Sequence, residues 1–501
     1  MSDTSLQASG TQGSGSWQGR PAGVPGAVPP PSVPLAFFAA AALGLAACGV
    51  TLALAGTAAA GDPTADPVVA AAHFGLLATL STGVLGAMHQ FVPVVTGRPL
   101  RSIRLAWMTF ASWTAASWSL PLGFALGHEW LIGAGGGLAG VAFAVILANL
   151  SAPLSVRGKG MEVVGLRLAL VGLALTGGFG LVFLVDRSGR WFELSGHVVL
   201  AHALVGLFWW LGLSYVAVAE KLWPMFFLAH LPGRHRAGSV AVLALPAGVA
   251  LAAPGVLLGI VPLAAAGAAL AGVGLVAHLV SLATYVAHRR RRADLHLAYV
   301  LTSAAWLPVG AGFALAGAFV LPGDEREGVA LVAASVAAFA GWLLEALVGH
   351  AHKVVPFVVW TALRSRGVTT GPSGRPLAFA DLYSRRAAGL SHLTVTTAVA
   401  ALCAGLAGRL PAATVAAGAL LAVTGLVTAV NLSLTPLLML KPRRLPSPEL
   451  AGEGGSGSTR CTGGDPTVGD PARSGVSLRG RRTRARSAPA RCAALVPGTP
   501  S

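Results

Sequence analysis

The stretch Gly86-Ala-Met-His-Gln-Phe-Val-Pro93 decides the reading of this chain, because its last five residues recur at a fixed interval. The copies are His89-Gln-Phe-Val-Pro93, Glu220-Lys-Leu-Trp-Pro224 and His352-Lys-Val-Val-Pro356. Their prolines lie 131 and 132 residues apart. A fixed period of this kind marks repeated structural units. Each copy falls near the end of a long apolar segment. Two of the three copies carry a His four residues before the Pro, about one helical turn.

The composition says where those segments reside. Of 501 residues, 54% are hydrophobic and only 11% charged, and the mean hydropathy is +0.70. A soluble domain carries about twice that charge. About twenty apolar residues suffice for a helix to cross a bilayer. Twelve such segments are predicted, at 33–60, 68–96, 103–126, 130–153, 162–185, 196–228, 238–260, 262–287, 294–321, 328–362, 387–408 and 411–440. The fold class is therefore an all-α membrane protein of about twelve transmembrane helices.

The loops alternate in charge. Arg98, Arg101 and Arg104, then Arg157 and Lys159, Arg234 and Arg236, Arg289 to Arg292, and Arg364, Arg366 and Arg375 occupy one set. Asp62 and Asp66, Glu129, Asp186 and Glu193, and Asp324, Glu325 and Glu327 occupy the other. Lys and Arg concentrate on the cytoplasmic side. Both termini are thus expected in the cytoplasm, with the protein in the inner or plasma membrane. Residues 1–32 are rich in Gly, Ser and Pro and read as a disordered tail without a cleaved signal. The tail 441–501 carries 11 Lys/Arg against 4 Asp/Glu and reads as disordered and basic. Such a tail suits a lipid surface, and no nucleic-acid partner is expected. Four cysteines at 48, 403, 461 and 492 have no CxxC spacing, so no thiolate cluster and no structural disulfide is expected.

Grouping the segments in fours puts all three prolines on the second helix of a set, giving three arcs related by pseudo-threefold symmetry. Trp210 and Trp342 each stand 14 residues before their Pro. A Gly-Arg pair follows each Pro helix, at Gly97, Gly233 and Gly374. Asn149-Leu-Ser in the fourth segment echoes Asn431-Leu-Ser in the twelfth. The residues His89, Glu220 and His352 are expected to occupy related, inward-facing places. A Pro within a membrane helix frees a carbonyl that should face protein rather than lipid.

Six histidines lie on the three Pro helices: His73, His89, His197, His202, His350 and His352. Ionisable groups within a membrane are by default functional hypotheses, and neutral imidazole is a ligand for heme iron or copper. The plainer readings are an interfacial place for His197, His350 and His352, and an interhelical hydrogen bond for His278.

Twelve helices in three arcs, His on helices two, six and ten, and the pair His350-Ala-His352 resemble subunit I of heme–copper oxidases. The stretches His73-Phe-Gly-Leu-Leu, Gly86 to Pro93, Ala201-His-Ala and Leu222-Trp-Pro-Met-Phe-Phe227 resemble the oxidase-like bacterial membrane proteins that include the NnrS family. The resemblance spans 33–440. It implies a heme b held by one His of segment two and His352, with His350 at the place of a second heme ligand, copper as a further metal, and a redox donor protein or quinol as partner. Segment seven has no His, and the tyrosine element of helix six is missing, so oxygen reduction is not implied. Depth along the helices leaves two candidate pairs open: His89 with His352, and His73 with His202. Because repeats, prolines and the buried-helix residues Glu220, Lys221 and Glu345 also suit a proton-coupled transporter, that reading stands as the alternative. A structural scaffold is the third.

Overall fold

The computed structural model describes residues 28–62, 65–189, 196–231, 236–320, 325–371, 374–378 and 381–440. Most of the 1–32 tail, all of the 441–501 tail, and Glu193, Arg234, Gly233 and Asp324 lie outside the described residues. Twelve long helices follow in order: α1 (Ser32–Leu54), α2 (Asp66–Thr96), α3 (Ile103–Leu126), α4 (Glu129–Leu154), α5 (Met161–Gly189), α6 (His197–Phe227), α7 (Arg236–Leu257), α8 (Val261–Ala287), α9 (Leu295–Val320), α10 (Arg326–Ser365), α11 (Arg385–Ala407) and α12 (Pro411–Leu440). All but α3 combine the length and apolarity needed to cross a membrane; α3 has the length. The chain is an all-α protein, and the sole β contact among described residues is a bridge from Thr370 to Pro376. The first segment differs from expectation by breaking at Ala55, after which Gly56–Gly61 forms a separate turn of helix.

The repeat is written into the backbone. Each Pro helix contains an eight-residue π-helical stretch: Phe74–Ser81, Val205–Gly212 and Ala337–Leu344. Their first residues are 131 and 132 positions apart, the same intervals that separate the three prolines. A π-turn widens the ring to i→i+5 and re-aims every side chain after it; such turns concentrate at functional sites. In α2, the Thr79 and Thr82 hydroxyls donate to carbonyls five residues back, Phe74 and Leu77, at 3.1 and 2.8 Å.

The hairpins α3–α4, α7–α8 and α11–α12 end their first helix alike. Gly127, Gly259 and Arg409 take left-handed φ of 65, 66 and 50°. The next N–H reaches back to the carbonyl of Gly123, Gly255 or Gly405 at 2.8, 2.8 and 2.7 Å. This is the Schellman closure of a helix C-terminus. At the other end of the first and third hairpins, Ser102 N–H donates to Asn149 Oδ1 at 3.0 Å and Ser384 N–H to Asn431 Oδ1 at 2.8 Å. The ring of arcs closes where α12 packs on α1. A Cβ on Gly418 would come within 2.4 Å of the Ala53 backbone nitrogen, so only glycine allows this approach.

Two of the three Pro helices, α2 and α10, are the most enclosed. The apolar windows of α2 and α10 are each 61% buried, against 22% for α4, α5 and α8. Outer helices present Leu43, Val141, Leu181, Val276 and Leu426, as a lipid-facing surface requires. At one end, Arg187 of α5 bonds Asp66 of α2 at 2.9 Å and Glu129 of α4 at 2.8 Å. At the other, Lys353 of α10 bonds Asp294, just before α9, at 2.7 Å. The loops therefore alternate between two ends, as an up-and-down membrane bundle demands.

Candidate functional site

Three of the sequence-predicted histidines share one geometry. His89, His350 and His352 each bring Nδ1 within 2.8–2.9 Å of the carbonyl four residues earlier: Leu85, Ala346 and Val348. A carbonyl only accepts, so Nδ1 carries the proton and Nε2 presents a lone pair. All three Nε2 atoms are buried without a partner. Tying one ring nitrogen to the backbone and leaving the other free is how metal-ligating imidazoles are usually held. His350 and His352 are 8% and 5% exposed, so both are packed within the protein.

His89 and His352 each pack within their own arc, through matching stacks. In arc 1, His89 stacks on Phe37 of α1 at 5.4 Å and an interplanar angle of 19°, and Phe37 meets Phe110 of α3 at 5.1 Å. In arc 3, His352 stacks on Tyr299 of α9 at 6.1 Å and 19°, and Tyr299 meets His392 of α11 at 4.5 Å. Glycine permits both stacks: a Cβ on Gly86 would strike Phe37, and one on Gly349 would strike Tyr299, each at 2.4 Å. Glu220, the third equivalent, is half-buried and accepts hydroxyls of Ser281 (2.6 Å) and Tyr285 (3.3 Å) from α8. The expectation of related places holds for His89 and His352, each stacked on the first helix of its arc; Glu220 instead bonds the last helix of its own.

The second candidate pair is also ringed by aromatics. His73 stacks on Phe124 at 5.7 Å and bonds the Val69 carbonyl through Nδ1. His202 sits edge-on to Phe183 at 5.2 Å, with Nδ1 unpartnered.

Arc 3 holds most of the interior polarity. Glu345, the residue after its π-turn, is fully buried. Its carboxylate accepts from Thr302 and from Trp306 Nε1 (3.1 Å) of α9, and from Thr396 (2.6 Å) of α11; His392 Nε2 lies 3.3 Å away. Toward the Asp294 end, a space with room for about one water is lined by Asp294, His296, Tyr299, His352, Lys353 and Tyr383. Partial burial alone would raise the Asp294 carboxyl's pKa. The Lys353 ammonium and the Leu297 N–H outweigh that and hold it below the usual value. His296, in the first turn of α9, stands with its ring 4.8 Å from that of His350, centroid to centroid. Sequence reasoning passed over His296, because nothing in the repeat marks its position.

These residues suit a metal ion. The donors are neutral imidazoles, which iron, heme iron included, and copper both accept. Two gaps, the one beside His352 and another lined by Phe38, Leu45, Thr79, Leu347 and Leu432, each have room for about one water. Among the described residues no three His, Cys, Asp or Glu side chains converge as a metal site. The chain matches no protein-family model and no curated protein.

Proposed function

We propose that this chain is a multi-pass membrane protein that binds a transition metal, copper above all, through neutral imidazoles. Heme b, and the NnrS-like or oxidase-like kinship, rest on the resemblance of short motifs. One observation carries the reading: three buried Nε2 atoms, on His89, His350 and His352, have lone pairs and no partner. Leaving a buried polar atom unpaired costs on the order of 1–3 kcal/mol. A lone orphan is tolerable; three with one common tautomer argue for a ligand. The roles that follow are electron transfer with a protein or quinol donor, nitric oxide-related stress chemistry, or metal handling. By charge bias the Asp294 end and both termini face the cytoplasm of the plasma membrane.

The test is elemental analysis and an oxidised and reduced absorption spectrum of the purified protein. Copper at one or more equivalents per chain is expected, without a Soret band. A metal-free, colourless protein that stays metal-free after copper loading sinks the reading.

Glu345 favours a second reading, proton-coupled transport. A fully buried carboxylate held by three donors in a membrane interior is the kind of group transporters protonate and release. Proton-driven solute uptake by metal-free protein in vesicles would decide for it.

A further inference from the structure

His296 and His350 belong together by a separate line of evidence. Their rings are 4.8 Å apart and meet at 78°. Both side chains are more than nine-tenths buried, at 6% and 8% exposure, and both Nε2 atoms lack a partner. The water-sized gap reaches the His352 ring but does not reach that of His350. Around the pair stand aromatic rings: Phe226 at 5.2 Å and Phe227 at 6.1 Å from His296, and Tyr215 at 5.5 Å from His350. Two buried imidazoles, each with an unpartnered Nε2, thus meet edge to face among aromatic rings.

Imidazole nitrogens bind copper or zinc at about 2.0–2.1 Å. Two rings on one ion at a bent angle then have centroids about 5 Å apart, close to the observed separation. A linear arrangement, or an intervening porphyrin, needs more. The bend leaves one side of the ion open, and the gap lined by His296 can supply a small third ligand there.

Charge selects the ion. The box offers no carboxylate or thiolate to neutralise a dication; Asp294 is already engaged by Lys353. The Lys353 ammonium also lies 6.0 Å from the Phe226 ring, adding positive charge nearby. The cost of burying an ion rises with the square of its charge, so a monovalent ion costs about a quarter of what a divalent one does. Zinc also wants four protein or water ligands, whereas copper(I) is content with two or three.

We propose that His296 and His350 form a two-histidine copper(I) site, opening toward the Asp294 end through the gap beside His352. The proposal rests on the metal-binding reading above and narrows it to one pair and one ion.

The experiment is an anaerobic titration of the purified full-length chain with copper(I), against a chromophoric copper(I) chelator, on wild type, His296→Gln, His350→Gln, and His288→Gln as a surface control. One equivalent bound by wild type and the control, weakened at least about 100-fold by either site variant, is the expected result. X-ray absorption of the loaded wild type should show a first shell of imidazole nitrogens, which tests the site without any variant. Copper bound equally well by both site variants, or a sulfur-containing shell, overturns the pair while leaving the broader reading intact. No copper bound by wild type overturns both.

Discussion

Arcs 1 and 3 share a skeleton and differ in what they hold. Both carry a π-turn, a Pro, a Schellman hairpin and a Ser–Asn latch at matching positions. Inside, arc 1 stacks Phe110, Phe37 and His89, while arc 3 stacks His392, Tyr299 and His352. The first position after the π-turn is Thr82 in arc 1, whose hydroxyl takes the indole N–H of Trp113 at 3.1 Å. In arc 3 it is Glu345, which takes the indole N–H of Trp306 at 3.1 Å along with three further polar contacts. Bulk is exchanged too: Gly44 of α1 packs on Ala78 of α2, whereas Trp306 of α9 packs on Gly341 of α10. The lesson is that backbone devices were kept across the repeats while side chains were free to diverge. Chemistry concentrated in arc 3, where the polar groups support one another.

The largest effect expected from breaking this difference is at Glu345. Replacing it with Ala strands Thr302, Thr396, Trp306 and His392 in the interior. Each unpaired buried group costs on the order of 1–3 kcal/mol, less where a hydroxyl can turn to a backbone carbonyl, as Thr302 does. A net loss of about 3 kcal/mol is expected, read as a large drop in the melting temperature of detergent-solubilised protein. Glu345→Gln keeps shape and acceptor and should lose less than half as much. Equal losses for the two would mean that the carboxylate is mere filling. Arc 1 supplies the control: Thr82→Ala removes one acceptor and should cost about 1 kcal/mol.

This contrast also shows what could be read from the sequence. The twelve helices and the repeat were legible because period and apolarity are written in every segment. The pairs Pro93 and Pro356, and Asn149 and Asn431, proved structurally equivalent. The π-turns were not legible, since Phe74–Ser81, Val205–Gly212 and Ala337–Leu344 share only one leucine across all three, Leu80, Leu211 and Leu343, and an i→i+5 turn has no composition of its own. His89 and His352 were expected to look inward together. The Gly86–Phe37 and Gly349–Tyr299 contacts turn each toward its own arc, and a contact between helices far apart in sequence leaves no local trace. Glu345 was noted as ionisable, but its partners on α9 and α11 come from tertiary packing alone.

The Asn latches give a smaller and sharper comparison. Asn431 both accepts from Ser384 N–H and donates through Nδ2 to the Ser384 carbonyl at 3.1 Å. Asn149 accepts from Ser102 N–H, but its Nδ2 is buried without a partner. One latch gains two hydrogen bonds; the other gains one and carries an unpaired donor. Asn431→Ala should therefore cost about 2 kcal/mol and Asn149→Ala no more than about 1. Thermal melts of the two single variants, side by side, check the order. A reversed order would show that the latches are not equivalent despite their shared spacing.

The smallest expected effect is at the hairpin turns, where arc 3 breaks the pattern. Gly127 and Gly259 reach left-handed φ freely, but Arg409 reaches φ 50° with a Cβ attached. That conformation costs a residue with a side chain about 1–2 kcal/mol. Arg409→Gly relieves it, while the more flexible unfolded chain takes back part of the gain. A net stabilisation of about 0.5–1 kcal/mol is expected, a rise of up to about 1 °C in melting temperature for a chain of this size. Gly127→Ala should move stability the opposite way by a similar amount. If Arg409→Gly instead destabilises, the arginine must contribute something that the two glycines do not. Arc 3 would then differ from arc 1 in its loop end as well as in its interior.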